Sequence, residues 1–261
     1  MTEVVIVSDA AAGGELAARA VLAALDTRPD AVLGLATGST PLPVYRALAE
    51  LIGRERRDVS RVGAFALDEY VGLPADHPQS YRSYVAREVT GPLGLDPRLV
   101  HVPDGDPERA RTAGEEYERA IEAAGGVDVQ LLGIGTDGHL GFNEPGSSFA
   151  SRTRVKTLTE RTRRDNARFF TTPDEVPLHC VTQGLGTILR ARHLLLLAFG
   201  ASKAPAIAAA VEGPLTASHP ASAVQLHPHA TVIVDEPAAS RLANLDYYRH
   251  AWANKPAWQG I

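Results

Sequence analysis

The sequence predicts an α/β protein in which one mostly parallel sheet carries helices on both faces, with residues 1–261 forming a single domain. Three observations carry this expectation. Short apolar, β-branched runs alternate with Ala/Leu/Arg/Glu stretches of helical period. Those runs are apolar at nearly every position, as strands covered on both faces require. No Ser/Gly/Pro-rich linker, charge block or shift in composition divides the 261 residues, which suffice for one large core.

In chain order, the run at 4–7 reads as the first strand and the Ala-rich stretch at about 10–25 as the helix that returns from it. A strand at 32–35 leads through ATGSTP into a helix at about 41–53 that begins near Pro41. A strand at 62–67 runs into DEYVGLP, followed by helical periodicity at about 79–90 and 107–124. The run at 127–134 ends in GTDGH; a helix at about 184–191 precedes the run at 194–199, which ends in GASKAPAI and opens a helix at about 202–211. A last strand at 231–234 precedes a helix at about 236–243. There is no internal repeat and no low-complexity segment.

Four of these strands thus end in loops rich in Gly and reactive side chains. Open α/β sheets put their chemistry in the crevice beyond the strand carboxyl ends. Ordinary turns would use the same Gly, Ser, Asp and Pro, but four such loops, each with a reactive or anion-binding group, favour one cleft.

LGIGTDGHLGFNEP, residues 132–145, is the most informative of them. Asp137, His139 and Glu144 fall within eight positions, so an acid can hold one imidazole nitrogen while the other moves protons. Among small residues, His139 does not read as a core-filling histidine. No HExxH and no second His or Cys at ligand spacing accompanies it, so no metal is expected. Asp68 opens DEYVGLP and can serve as a base beside a carbonyl or as a turn cap; Glu69 reads as a solvated neighbour.

In ATGSTP, Gly38 lets backbone approach a ligand and Ser39 and Thr40 offer hydroxyls, at a helix start suited to phosphate. Capping of the helix by Ser39 or Thr40 is the plainer alternative. The turn is neither a Walker A motif nor GxGxxG, so no nucleotide is implied. Lys203 at a helix start opposes the helix dipole unless an anion lies between them. Arg168, in NARFF, is either solvated or a planar fork for phosphate.

Composition excludes other classes. A net charge of −5 argues against a nucleic-acid face. The basic stretch 152–168, broken by Glu160 and Asp165, reads as a solvated helix face or as a site for a small anion. The single cysteine, Cys180, excludes an intrachain disulfide, fits a reducing compartment and sits among packing residues. His227 and His229 in QLHPHA share a strand face by spacing and read as structural. The opening segment lacks a signal peptide, and no apolar run approaches the ~20 residues of a membrane span, so a cytoplasmic location without a membrane partner is expected.

At these motifs the chain resembles the glucosamine-6-phosphate deaminase (isomerase) family. The likeness runs almost end to end, through ATGSTP, LDEYVGLPADHPQSYRSYV, GIGTDGHLGFNEPGSSFASRTRVKTLT, NARFF, VTQGLGTIL, SKAPAI, AVEG and LHPHATVIVDEP. The DGH turn is shared with 6-phosphogluconolactonase; FNEP and DEYVGLP favour the deaminase. The resemblance implies a Rossmann-like fold and conversion of glucosamine 6-phosphate and water to fructose 6-phosphate and ammonia, in amino-sugar (N-acetylglucosamine) catabolism, without metal or organic cofactor. It gives His139 ring opening, with Asp137 and Glu144 holding it, and gives Asp68 the proton transfer from C2 to C1. It puts the phosphate on Gly38, Ser39, Thr40, Arg168 and Lys203, and a lid at about 158–180. It further implies a homohexamer with an interfacial pocket for the activator N-acetylglucosamine 6-phosphate, matched in type by Ser147, Arg154, Lys156, Thr157 and Tyr247. MTEVVIVSD and the tail RHAWANKPAWQGI carry none of the family's motifs. A 6-phosphogluconolactone hydrolase and a non-catalytic sugar-phosphate sensor are the competing readings.

Overall fold

A computed structural model of the chain describes residues 2–261. Ten strands are present: β1 Thr2–Val7, β2 Val32–Leu35, β3 Gly63–Ala66, β4 Asp68–Tyr70, β5 Val100–His101, β6 Val129–Gly133, β7 Arg154–Thr157, β8 His179–Thr182, β9 His193–Ala198 and β10 Ala230–Asp235. Seven form the expected sheet, in the order β1-β10-β9-β6-β2-β3-β5, with every pairing parallel. The helices are α1 Ala10–Thr27, α2 Leu42–Glu55, α3 Tyr81–Val85, α4 Gly91–Leu93, α5 Ala110–Ala123, α6 Glu160–Asn166, α7 Leu185–Ile188, α8 Ala204–Val211, α9 Glu236–Ala239 and α10 Leu245–Ala253.

The apolar runs become buried strands for the reason their composition suggests. β9 is buried at all six positions and β2 at all four, because helices close over both faces. β2, β6, β9 and β10 contribute to one continuous core together with α1, α2 and α8. α1 is started by Asp9, whose carboxylate accepts the Ala12 N–H at 2.9 Å.

Strand order reverses at β2. From it the chain runs outward through β3 to β5, then returns to the other side of β2 as β6 and continues through β9 to β10, which pairs with the first strand, β1, at the far edge. The loops after β2 and β6 therefore leave in opposite directions and open a crevice between them.

Several elements differ from expectation. A second, antiparallel sheet of β4, β8 and β7 branches off directly after β3. Its strands are three or four residues long and include DEY and RVKT, polar segments without an apolar run to reveal them. They pair because Leu67, between β3 and β4, receives the Gln183 N–H at 2.7 Å on its carbonyl. β5, α6 and α10 are likewise short or polar and did not stand out. The expected helix at 79–90 is α3, followed by a π turn over Ala86–Thr90 and then α4. The expected helices at 184–191 and 236–243 contract to α7 and α9, each of four residues.

Candidate active site

The loops after β2, β3, β6 and β9 line one cleft of 690 Å³, which contains Gly38, Ser39, Thr40, Asp68, His139, Arg168 and Lys203. The phosphate-type turn leaves its hydroxyls uncommitted to capping: α2 begins at Pro41 with no side-chain cap bond. Two tyrosines hold this turn from behind. Tyr45 donates to the Ala36 carbonyl at 2.7 Å and Tyr84 to that of Gly38 at 2.6 Å. Lys203 lies just ahead of α8, and its Nζ donates to the Ile134 carbonyl at 2.6 Å. Burial, followed by the nearby charge of Arg168, pulls its ammonium below the ordinary lysine range. The exposed Arg168 and the partly buried Lys203 put two cations at this end of the cleft, with the carboxylates of Asp165 and Asp137 acting the other way on the lysine, and the pair suits a phosphate.

Asp68 is 3 % exposed, and burial, with the charge of Glu69 next, raises its carboxyl to about 8. The Phe142 N–H and the Thr182 hydroxyl oppose that rise, and no cation is paired with it among the described residues. A buried carboxylate without a counter-ion is a stronger base than a solvated one.

In the DGH turn, Nδ1 of His139 lies 2.7 Å from Oδ1 of Asp137, which also accepts the His139 main-chain N–H at 3.2 Å. The ring N–H is not aimed squarely at that oxygen. Burial pushes the Asp137 carboxyl up, but the imidazole outweighs it and holds the carboxyl well below the usual range. Gly135 is needed here, because a Cβ at that position would run into the His139 ring. Glu144 is buried; its Oε1 accepts from Thr159 and from the Thr162 hydroxyl at 2.6 Å, while Oε2 has no partner.

Donor atoms of Asp137, His139 and Glu144 all lie within 4.8 Å of one another, the one such set among the described residues. Two ligands on a tetrahedral zinc stand about 3.3 Å apart. The 2.7 Å spacing of Asp137 and His139 is shorter and suits a shared proton better than an ion.

The profile of the family described as glucosamine-6-phosphate isomerases/6-phosphogluconolactonase matches residues 8–233. The chain belongs to that family. A glucosamine-6-phosphate deaminase of Bifidobacterium longum subsp. infantis is 61% identical over 272 residues, covering 100% of both chains. One from Streptomyces avermitilis is 62% identical over 260 residues, covering 99% of this chain and 100% of that one. A solved structure described as a monomeric glucosamine-6-phosphate deaminase is 41% identical with a TM-score of 0.89, covering 92% of this chain and 99% of that one. The 6-phosphogluconolactonase of Trypanosoma cruzi, 21% identical with a TM-score of 0.73, covering 93% of this chain and 97% of that one, shares the fold.

Ser147, Arg154, Lys156, Thr157 and Tyr247, expected from the resemblance to meet an activator, are not part of the cleft's lining. Arg154 donates to Asn143 Oδ1 at 2.8 Å and reaches Ser147 Oγ at 3.4 Å. Lys156 and Thr157 continue along β7, the edge strand of the small sheet. Tyr247 stands apart, 62 % exposed on α10 and edge-on to Tyr248.

Segment 158–180 contributes Asp165, Asn166, Arg168, Phe169 and Phe170 to the lining of the cleft. It packs on a satellite apolar cluster of Tyr70, Phe142, Leu158, Val176 and Cys180, separate from the main core. Cys180 is fully buried there, as expected, although of the neighbours read as packing only Val181 is buried and Leu178 is exposed. Asn166 donates to the Tyr70 hydroxyl at 3.0 Å, and Phe170 meets the same ring edge-on. The basic stretch is neither one helix face nor one cluster. Arg168 reaches the cleft, Arg152 pairs with Glu118 and Glu122, and Arg163 donates to the Val176 carbonyl.

Glu69 requires correction: it is 5 % exposed rather than solvated, because three main-chain N–H groups converge on its carboxylate. His227 and His229 lie at the opposite, amino end of β10, just before the strand. His227 is buried between main-chain groups, and His229 stacks on His193 with centroids 3.6 Å apart. Tyr84 and Asn166, which shape the cleft, carried no signal in the sequence beyond ordinary helical residues.

Proposed function

We propose that the protein converts glucosamine 6-phosphate and water to fructose 6-phosphate and ammonia. The observation that carries the reading is the single cleft that joins an unpaired buried acid, a histidine turn and a two-cation phosphate seat. No helix among the described residues is long and apolar enough to cross a membrane.

The phosphate binds Gly38, Ser39, Thr40, Arg168 and Lys203, away from the carbons that react, so its binding energy orients C1 and C2. His139 moves the proton that opens the sugar ring; Asp137 holds the imidazole, and a carboxylate oxygen of Glu144 lies within 4.8 Å of the pair. Asp68 removes the C2 proton from the open-chain aldehyde and returns it to C1. The amine-bearing C2 becomes an imine; water adds there and ammonia leaves, giving the ketose. The net change is hydrolysis of one C–N bond coupled to an internal 1,2 proton shift, with no electron carrier. Segment 158–180 keeps solvent from the intermediate, serving as a lid.

An activator site for N-acetylglucosamine 6-phosphate is read at Ser147, Arg154, Lys156 and Thr157. Tyr247, remote within one chain, completes it only from a neighbouring subunit, so activation and a homo-oligomer, a hexamer by resemblance, stand or fall together. The reaction has soluble substrates, and a cytoplasmic setting agrees with the free Cys180.

The test is ammonia release from glucosamine 6-phosphate without added metal, run with and without N-acetylglucosamine 6-phosphate alongside light scattering. Stoichiometric ammonia and fructose 6-phosphate are expected, with stimulation accompanying an oligomer. Hydrolysis of 6-phosphogluconolactone, or saturable sugar-phosphate binding, without ammonia overturns the deaminase reading. A monomer indifferent to the acetylated sugar overturns the activator site and the oligomer together and leaves the deaminase reading.

A further inference from the structure

We infer that α3 is a strap that sets the separation between Asp68 and the phosphate turn, with Glu69 and Tyr84 as its two fastenings and therefore as positioning residues. The inference deepens the deaminase reading and rests on it for the kinetic part of its test.

Neighbouring residues on a strand face opposite ways. Asp68 opens onto the cleft, while Glu69 turns to a separate 440 Å³ hollow behind it. There its carboxylate accepts the N–H groups of Tyr70 at 2.8 Å, Tyr81 at 2.9 Å and Arg82 at 2.9 Å. Tyr81 and Arg82 are the first two residues of α3, whose leading N–H groups have no partner inside the helix. Ser80 takes the next donor, Ser83 N–H, at 3.1 Å. The start of α3 is thus bound to the residue after Asp68 by two charge-assisted hydrogen bonds.

Three residues along, Tyr84 donates its hydroxyl to the Gly38 carbonyl at 2.6 Å. Gly38 has φ +85°, a conformation that leaves this peptide unit few other constraints. The carbonyl of Gly38 and the N–H of Ser39 belong to one planar trans peptide and point in opposite directions. Fixing the first on Tyr84 therefore aims the second away from α3, at the exposed side of the turn. One rigid turn and a half of helix consequently joins the base to the phosphate donors. A misplacement of about 1 Å between them would be felt as a rate loss of about a hundredfold.

Tyr84→Phe removes one hydroxyl. We expect KM for glucosamine 6-phosphate and the calorimetric Kd of inorganic phosphate to rise together about fivefold, and kcat to fall by about tenfold because the freed turn no longer sits at a fixed distance from Asp68. Glu69→Gln puts an amide donor against main-chain donors, so KM and kcat both suffer by about tenfold. It also removes the negative charge beside Asp68, so the rising limb of the kcat/KM profile moves to lower pH, which a purely structural defect would not do. Because both residues act through one helix, the KM effect of Glu69→Gln should be smaller in the Tyr84→Phe background than alone.

An unchanged phosphate Kd in Tyr84→Phe, or KM effects that simply multiply in the double variant, overturns the strap. Should Glu69→Gln not fold, the phosphate Kd of Tyr84→Phe decides alone. Wild-type protein that releases no ammonia defeats the deaminase reading, while the phosphate titrations still judge the strap.

Discussion

Asp68 and Asp128 are both buried aspartates at ends of the same sheet, and their surroundings are opposite in kind. Asp128, at the amino end of β6, accepts from Arg28 at 2.7 Å, Arg192 at 2.9 Å and the Val32 N–H at 2.7 Å. Asp68, beyond the carboxyl end of β3, has a hydroxyl, one N–H and a second acid for neighbours, and its carboxyl is raised to about 8. Around Asp128 the amino end of the sheet is electrostatically satisfied and ties strands together; around Asp68 the carboxyl end retains unmet demand. Unpartnered Glu144 Oε2 and crowded Lys203 and Arg168 belong to that same end. Such demand costs stability where it stands, and a bound reactant answers it.

The comparison breaks most decisively at Asp68. Asp68→Asn should lower deamination by about a thousandfold and abolish exchange of the C2 proton with solvent, while ring opening persists. It should also stabilise the fold. The native state keeps a proton on Asp68 that the unfolded chain releases above its ordinary value near 4. Wild-type stability from this group is therefore lost as pH rises from about 4 to about 8, at up to about 1.4 kcal/mol per pH unit. Thermal denaturation at pH 5 and pH 8 measures the sign: a variant advantage that shrinks with rising pH contradicts the assignment.

Asp128→Asn should do the reverse, leaving kcat and KM within about twofold of wild type while costing about 1–3 kcal/mol in urea unfolding. The cost is set at that level because Arg28 and Arg192 are themselves 36% and 54% exposed and can turn to solvent. Activity loss without a stability loss would erase the distinction between the two ends.

A subtler refinement lies in segment 158–180. Asn166→Ala removes the bond to the Tyr70 hydroxyl, worth about 1 kcal/mol. A rise of about two- to fivefold in KM with unchanged global stability is expected. A matching fall in melting temperature would instead assign the segment to the core.

Much of the carboxyl end was legible because chemistry there is local. ATGSTP, DEYVGLP, DGHLGFNEP and NARFF each concentrate reactive side chains in a few consecutive positions. Glu69 illustrates the limit. Its environment is made by N–H groups twelve and thirteen residues away, and nothing in the sequence distinguishes it from a solvated acid. The small sheet was hidden similarly, since β4, β7 and β8 are polar or short and become strands only by pairing with one another.

By itself, the sequence determined the parallel sheet, through continuous apolar runs that must be covered on both faces, and the side chains available for chemistry. Only the tertiary structure decided which buried acid would be paired with cations and which would stand without one. That choice depends on whether arginines distant in sequence, Arg28 and Arg192 at one end and none at the other, arrive within hydrogen-bond range. Local sequence sets propensity and periodicity, whereas the field at a buried carboxylate is set by whatever the fold brings to it.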